Sequence, residues 1–194
     1  SWNGSSWTET TDLNTARGLG AASFQGTSTA SLMVSGQTTP TSMVAVTESW
    51  DGSSWTEVSD VNTARRSGGG AGTYTAALYF GGGPGSDTET ESWNGSSWTE
   101  VADLNTGRNE ASGSGETNTA ALYFGGGPDV AHTELWNGTS WSEQNNLNTG
   151  RNFLTGIGTT SNSIAAGAES PTPARNATEE WTAPTTSTVT FTVS

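Results

Sequence analysis

The sequence predicts an all-β fold built from repeated four-stranded units, and three observations carry that prediction. Its nine Trp residues fall in pairs, Trp2/Trp7, Trp50/Trp55, Trp93/Trp98 and Trp136/Trp141, followed by a single Trp181. Trp50, Trp93 and Trp136 recur at intervals of 43 residues, with 48 before and 45 after, and self-similarity at such a period marks a fold of stacked supersecondary units. Inside each pair lies Asn3-Gly4, Asp51-Gly52, Asn94-Gly95 or Asn137-Gly138, dipeptides that accept the positive φ of tight hairpins.

Each strand of the unit follows from its residues. The Glu-x-Trp segments Glu48–Trp50, Glu91–Trp93 and Glu134–Trp136, and the Trp-x-Glu segments after each turn, place Glu and Trp on one face of a strand with period two. A polar connection of nearly fixed wording comes next: Asp12–Arg17, Asp60–Arg65, Asp103–Arg108 and Asn146–Arg151. Small-residue runs such as Ser67–Gly72 and Ala111–Gly115 then suit a crowded innermost strand. The apolar runs Ala76–Phe80 and Ala120–Phe124, each leading into three glycines, form the second strand. The order is small, apolar, Glu-x-Trp, Trp-x-Glu. A period in the low forties is that of a four-stranded propeller blade.

Composition narrows the class further. With 30% hydrophobic and 13% charged residues the chain has the balance of a low-complexity segment, but disordered segments are poor in aromatics and regularly spaced Trp supplies large apolar burial. A formal charge of −13, with six Arg and no Lys, leaves no basic face for a phosphate backbone and excludes nucleic acid as a partner. No apolar run approaches the length of a membrane helix, so no membrane insertion is expected. Cysteine is absent, which removes disulfides, thiolate metal sites and a Cys nucleophile.

An apolar strand ending in Gly-Gly, a strand ending in Trp, a short turn, a second Trp and a loop ending in Arg resemble the kelch repeat of β-propellers. The resemblance covers the whole chain and is cleanest over residues 48–153; Val34–Gly36 and Ala165–Gly167 stand where the end repeats would carry the double glycine. It implies one propeller domain, 1–194, with repeats near 1–47, 48–90, 91–133 and 134–178 and closing C-terminal strands over 179–194. About four and a half repeats are present. Because the chain opens in mid-repeat, it is expected to be the C-terminal part of a longer ring, or to pair its half blade with another subunit. The Thr-rich, Lys-poor repeats and the ending Glu179–Trp181 followed by Thr188–Ser194 are further similar to the kelch-like repeat proteins of marine tailed bacteriophages, which implies a virion-associated fibre or appendage protein.

The inventory for catalysis is thin. His132 is the single His, so no catalytic residues, no cofactor and no metal site are expected. Glu9, Glu57, Glu100 and Glu143, with Glu48, Glu91 and Glu134, recur in every repeat, whereas a catalytic carboxylate pair is needed once; they are read as a soluble negative surface that discourages strand-edge pairing, against a calcium- or glycan-binding rim. Arg17, Arg65, Arg108 and Arg151 recur just before the innermost strand and form a candidate anion or partner site at the channel mouth. The alternative is that each pairs with an Asp or Asn of its own or the adjacent loop and ties blade to blade, which the intact Asn-Thr-Ala/Gly neighbours favour. Trp2, Trp7, Trp50, Trp55, Trp93, Trp98, Trp136, Trp141 and Trp181 are read as structural blade anchors. The loops 84–90 and 128–133 differ most between repeats and are where a specific ligand is expected.

The expectation is a non-enzymatic virion protein, located on the particle, whose partners are other virion proteins, further copies of itself, or a host-surface glycan or protein. The alternative is a secreted or cell-surface bacterial adhesin of lectin-like type.

Overall fold

A computed structural model describes residues 1–22, 25–38, 41–84 and 87–183. The first sheet contains β1 (Ala21–Ala22) and β2 (Ser31–Val34) and, after a small hairpin of β3 (Gln37–Thr38) and β4 (Ser42–Met43), β5 (Thr47–Trp50) and β6 (Trp55–Val58). The second runs β7 (Gly69–Thr73), β8 (Ala76–Phe80), β9 (Thr90–Trp93), β10 (Trp98–Glu100), and the third β11 (Ser112–Thr117), β12 (Ala120–Phe124), β13 (Thr133–Trp136), β14 (Trp141–Glu143). The fourth has β15 (Thr155–Gly158), β16 (Asn162–Ala166) and β17 (Thr178–Thr182). Strand neighbours follow chain order and pair antiparallel. The protein is therefore all-β, with several four-stranded antiparallel sheets consistent with blades. The closing strand expected after β17 falls within residues 184–194, outside the described residues, and the N-terminal Trp pair forms a single bridge, Trp2 to Trp7.

Hairpin register follows from the turns. Asp51 Oδ1 accepts the N–H groups of Ser53 and Ser54, both at 2.8 Å, and Asn94 Oδ1 accepts those of Ser96 and Ser97 at 2.9 Å. This side-chain closure sets Trp50 opposite Trp55, Trp93 opposite Trp98 and Trp136 opposite Trp141. The paired indoles tilt together with centroids 5.3–5.5 Å apart, and the first of each pair donates Nε1–H to the turn between the two inner strands of its own sheet: Trp50 to Ser28 O, Trp93 to Tyr74 O, Trp136 to Asn118 O and Trp181 to Thr160 O.

The core lies between sheets. Strand alternation divides β8 between two neighbours: Ala77 and Tyr79 join Leu32, Val34, Trp93 and Trp98 at the first interface, whereas Leu78 and Phe80 join Tyr123, Trp136 and Trp141 at the second. Leu122, Phe124, Leu154 and Ala165 form the third. Innermost strands lie side by side, β1 with β7, β7 with β11 and β11 with β15. Their glycines are required by that proximity, since a Cβ on Gly113 would lie 2.7 Å from Gly70 O and one on Gly156 would lie 2.6 Å from Gly113 O. These strands start later than the small-residue runs: β7 begins at Gly69, after Ser67 takes a φ of 56°, and β11 begins at Ser112, after Glu110 takes 57°, left-handed values outside the extended region of non-glycine strand residues.

Trp141 is 5% exposed and Trp7 is 79% exposed. Trp141→Ala should lower unfolding free energy by about 3–5 kcal/mol, and Trp7→Ala should stay within about 0.5 kcal/mol. Urea unfolding midpoints at constant slope check both.

Candidate functional site

The recurring polar loops meet the recurring glutamates inside the protein. Arg17 Nη1 pairs with Glu48 Oε1, Arg65 with Glu91 at 2.7 Å, Arg108 with Glu134 at 2.6 Å and Arg151 with Glu179 at 3.1 Å. The arginine side chains are at most 1% exposed, so none of these guanidinium groups faces solvent. Each carboxylate also accepts the backbone N–H and side-chain amide of the loop Asn: Asn62 at 2.7 and 2.8 Å on Glu91, and Asn105 at 2.8 Å for both on Glu134. The guanidinium also binds carbonyls of the second strand and of the glycine after it, Arg65 to Tyr79 O and Gly81 O at 3.2 and 3.0 Å, and lies over a tyrosine ring, Arg65 over Tyr79 at 4.2 Å and Arg108 over Tyr123 at 4.5 Å.

The arginines do tie the connecting loop down, but their partner is a third-strand glutamate rather than the Asp or Asn expected from the sequence. Those residues act elsewhere: Asp60 Oδ1 and Asn146 Oδ1 each accept a third-strand N–H, from Thr47 and Thr133, at 3.2 Å. The reading of Glu48, Glu91 and Glu134 as surface charge is corrected too. They are at most 2% exposed, because the preceding loop folds over them, while their cross-strand neighbours Glu57, Glu100 and Glu143 remain exposed.

Burial pushes the Glu48 carboxyl up, but hydrogen bonds from Arg17, Asn14 and Thr15 outweigh it and hold the group below its ordinary value of 4.5. Burial raises the Tyr79 phenol to about 12 against the pull of Arg65, and raises Tyr123 likewise. The last repeat is looser: Arg151 Nε and Nη1 have no hydrogen-bond partner among the described residues, and the Glu179 side chain is 17% exposed.

Two residues beyond each arginine the backbone turns left-handed, at Leu19 (φ 57°), Ser67 (56°), Glu110 (57°) and Phe153 (48°). Non-glycine residues held there cost about 1–3 kcal/mol each. A relay of hydrogen bonds accompanies the strain: Ser67 N–H donates to Leu19 O (2.8 Å), Glu110 N–H to Ser67 O (2.9 Å) and Phe153 N–H to Glu110 O (2.7 Å). The four side chains, with Gly20, Gly68, Ala111 and Leu154, line one cavity of about 190 Å³. Leu19 and Phe153 are 45% and 44% exposed, so two apolar groups flank a hydroxyl and a carboxylate. That chemistry suits contact with a partner surface. The signal in the sequence was variation, Leu, Ser, Glu and Phe at one position of an otherwise repeating loop.

The remaining expected residues are dispersed. Trp50, Trp93, Trp98, Trp136 and Trp141 are buried, Trp55 and Trp181 are half-buried, and Trp2 and Trp7 are exposed beside Trp50 and Trp55 in a groove of about 520 Å³. His132 Nδ1 lies 3.6 Å from Glu143 Oε1 at the surface. Of the variable loops, residues 85 and 86 are outside the described residues, and in the other Asp129 accepts a 2.9 Å hydrogen bond from Ser170. No protein-family profile matches this sequence, and no curated protein matches it significantly.

Removing one member of a buried ion pair leaves the other charge stranded. Glu134→Ala should cost about 3–5 kcal/mol, and pairing it with Arg108→Met should recover part of the loss; a double-mutant cycle in urea checks this. Glu48 titrates near 4.5 when unfolded and lower when folded. Its stabilisation is thus fully present above pH 4.5 and is lost as pH falls through the folded pKa. Melting temperature between pH 7 and 3 should fall in that acid window, and less steeply in Arg17→Leu.

Proposed function

We propose that this chain is a kelch-like β-propeller module of a bacteriophage virion, a non-enzymatic structural or fibre protein that supplies a rigid scaffold for assembly and a surface for host contact. The observation that carries the reading is a division of labour between residues. Trp hairpins and Arg–Glu ties repeat from sheet to sheet, whereas Leu19, Ser67, Glu110 and Phe153 share a backbone conformation and a cavity but differ in side chain: two apolar groups, a hydroxyl and a carboxylate. A framework that repeats while one end varies is what a presenting protein needs. A single His and no Cys in 194 residues favour binding over turnover.

A second reading, a secreted or cell-surface adhesin, draws on the groove of Trp2, Trp7, Trp50 and Trp55. Thr10, Thr27, Ser28 and Ser31 add hydroxyls there, and indoles beside hydroxyls offer stacking and hydrogen bonding to sugar rings.

Antibody labelling of source particles under the electron microscope tests the first reading. Label on a tail or capsid appendage supports it; label confined to cell surfaces or medium replaces it with the second. The double substitution Leu19→Ser with Phe153→Ser should reduce binding to host cells by about tenfold or more, with melting temperature held within about 2 °C because both side chains are exposed.

A further inference from the structure

We infer that the cavity of the left-handed row receives a lysine or arginine side chain of a partner protein, its cation meeting Glu110 and its stem lying along Leu19 and Phe153. The inference rests on the reading of that row as a contact surface and adds the chemistry of the partner. Of the residues that line the cavity, only Glu110 is ionisable and only Ser67 adds a hydroxyl; the others are glycine or apolar. Elsewhere this chain supplies a cation for each recurring buried carboxylate, since Glu48, Glu91, Glu134 and Glu179 all pair with an arginine. For Glu110 it supplies none. The sequence has six Arg and no Lys: four are the buried ties, Arg66 donates to Gln37 Oε1, and Arg175 Nε donates to Glu169 O at 2.8 Å.

The carboxylate is nevertheless held in place. Asn152 Nδ2 donates to Glu110 Oε2 at 3.4 Å, and Asn152 is itself fixed, because its Oδ1 accepts the Ser170 N–H at 3.0 Å. Gly127 makes room for the same oxygen, since a Cβ there would lie 2.6 Å from it. Glu110 Oε1 has no hydrogen-bond or ion-pair partner among the described residues, and the residue is half-buried. One oxygen positions the group while the other remains available. The apolar walls then select what carries the charge. Leu19 and Phe153 are exposed and Leu154 is buried. Lysine and arginine bury an aliphatic stem along such surface while the charged head stays at the rim, and a cation near the Phe153 ring gains from its π face. A volume of about 190 Å³ is below the roughly 300–1,000 Å³ of small-molecule sites and suits one inserted side chain. A sugar ring would meet one hydroxyl and one carboxylate, too few groups to replace its hydration. The formal charge of −13 favours approach of a basic partner.

The test titrates the nitrogen-15-labelled full chain with the peptide acetyl-Leu-Lys-Leu-amide and follows backbone amide chemical shifts. Saturable shifts should centre on Leu19, Ser67, Glu110 and Phe153. The dissociation constant should rise by about fivefold in Glu110→Gln, a substitution that keeps an acceptor for Asn152, and should rise again when salt is raised from about 50 to about 500 mM. A peptide with glutamate in place of lysine should give no saturable shifts. Equal binding of the two peptides, unchanged affinity in Glu110→Gln, or no saturable shifts with the lysine peptide would overturn the inference. So would shifts at the row produced by an N-acetylglucosamine oligosaccharide and not by the lysine peptide. If Leu19→Ser with Phe153→Ser lowers host-cell binding while the peptides ignore the charge of Glu110, the contact reading stands and the basic partner is withdrawn.

Discussion

The fold depends on a buried charge pair that joins residues far apart in sequence. A glutamate on the third strand of each of the first three sheets lies directly opposite another glutamate on the fourth, Glu48 against Glu57, Glu91 against Glu100 and Glu134 against Glu143. Like charges opposed across a sheet are destabilising, and burying one of them is worse unless it is neutralised and fully hydrogen-bonded. The arginine loop supplies both conditions. Its guanidinium neutralises the inner carboxylate, and its Asn and Thr N–H groups occupy the remaining lone pairs. The connection between consecutive sheets is thereby held by its destination, so the geometry of one sheet sets where the next begins.

Apolar packing builds on that placement. No sheet here can bury its own faces, because β8 and β12 divide their side chains between two neighbours. Once the loop is tied, Tyr79 and Tyr123 lie beneath their arginines and hydrogen-bond the carbonyl of the same residue, at 3.2 and 3.1 Å. The double glycine completes the joint: Gly82 N–H donates to Arg108 O at 3.0 Å, and a Cβ on Gly81 would lie 2.8 Å from that oxygen. Polar tie, tyrosine and glycine therefore specify one junction between them.

Much of this was legible in the sequence, and the exceptions have physical causes. The Trp hairpins and the run Ala76–Phe80 announce themselves because turn chemistry and period two are local. Burial of Glu91 is not local: its arginine lies 26 residues away and its own strand reads like that of the exposed Glu100. A pattern that places two carboxylates on one face does not say which of them another loop will cover. Arg65 was visible as a recurring residue, but a recurring cation reads equally as a binding ring or as a tie until its partner is known. The left-handed row was hidden for a different reason, since Leu19 and Phe153 carry no residue preference for positive φ, and the hydrogen bonds that accompany it reach other repeats, Ser67 N–H to Leu19 O and Phe153 N–H to Glu110 O.

Those hydrogen bonds explain why variation is tolerated at that row, in a loop whose neighbouring positions repeat. Within the repeat, a side chain that changes must still match a neighbour: Phe80 meets both Tyr123 and Trp141, and Glu134 meets four loop donors. At Leu19, Ser67, Glu110 and Phe153 the inter-sheet contact that recurs is made by the backbone, N–H to carbonyl, with one side-chain bond added where Asn152 donates to Glu110 Oε2 at 3.4 Å, and every residue type but proline brings the same N–H. Side-chain identity therefore matters little to the recurring inter-sheet contact at this position of the loop, apart from the modest cost of positive φ. The repeating interactions hold the frame, and the strained row is where the frame leaves chemistry free to differ.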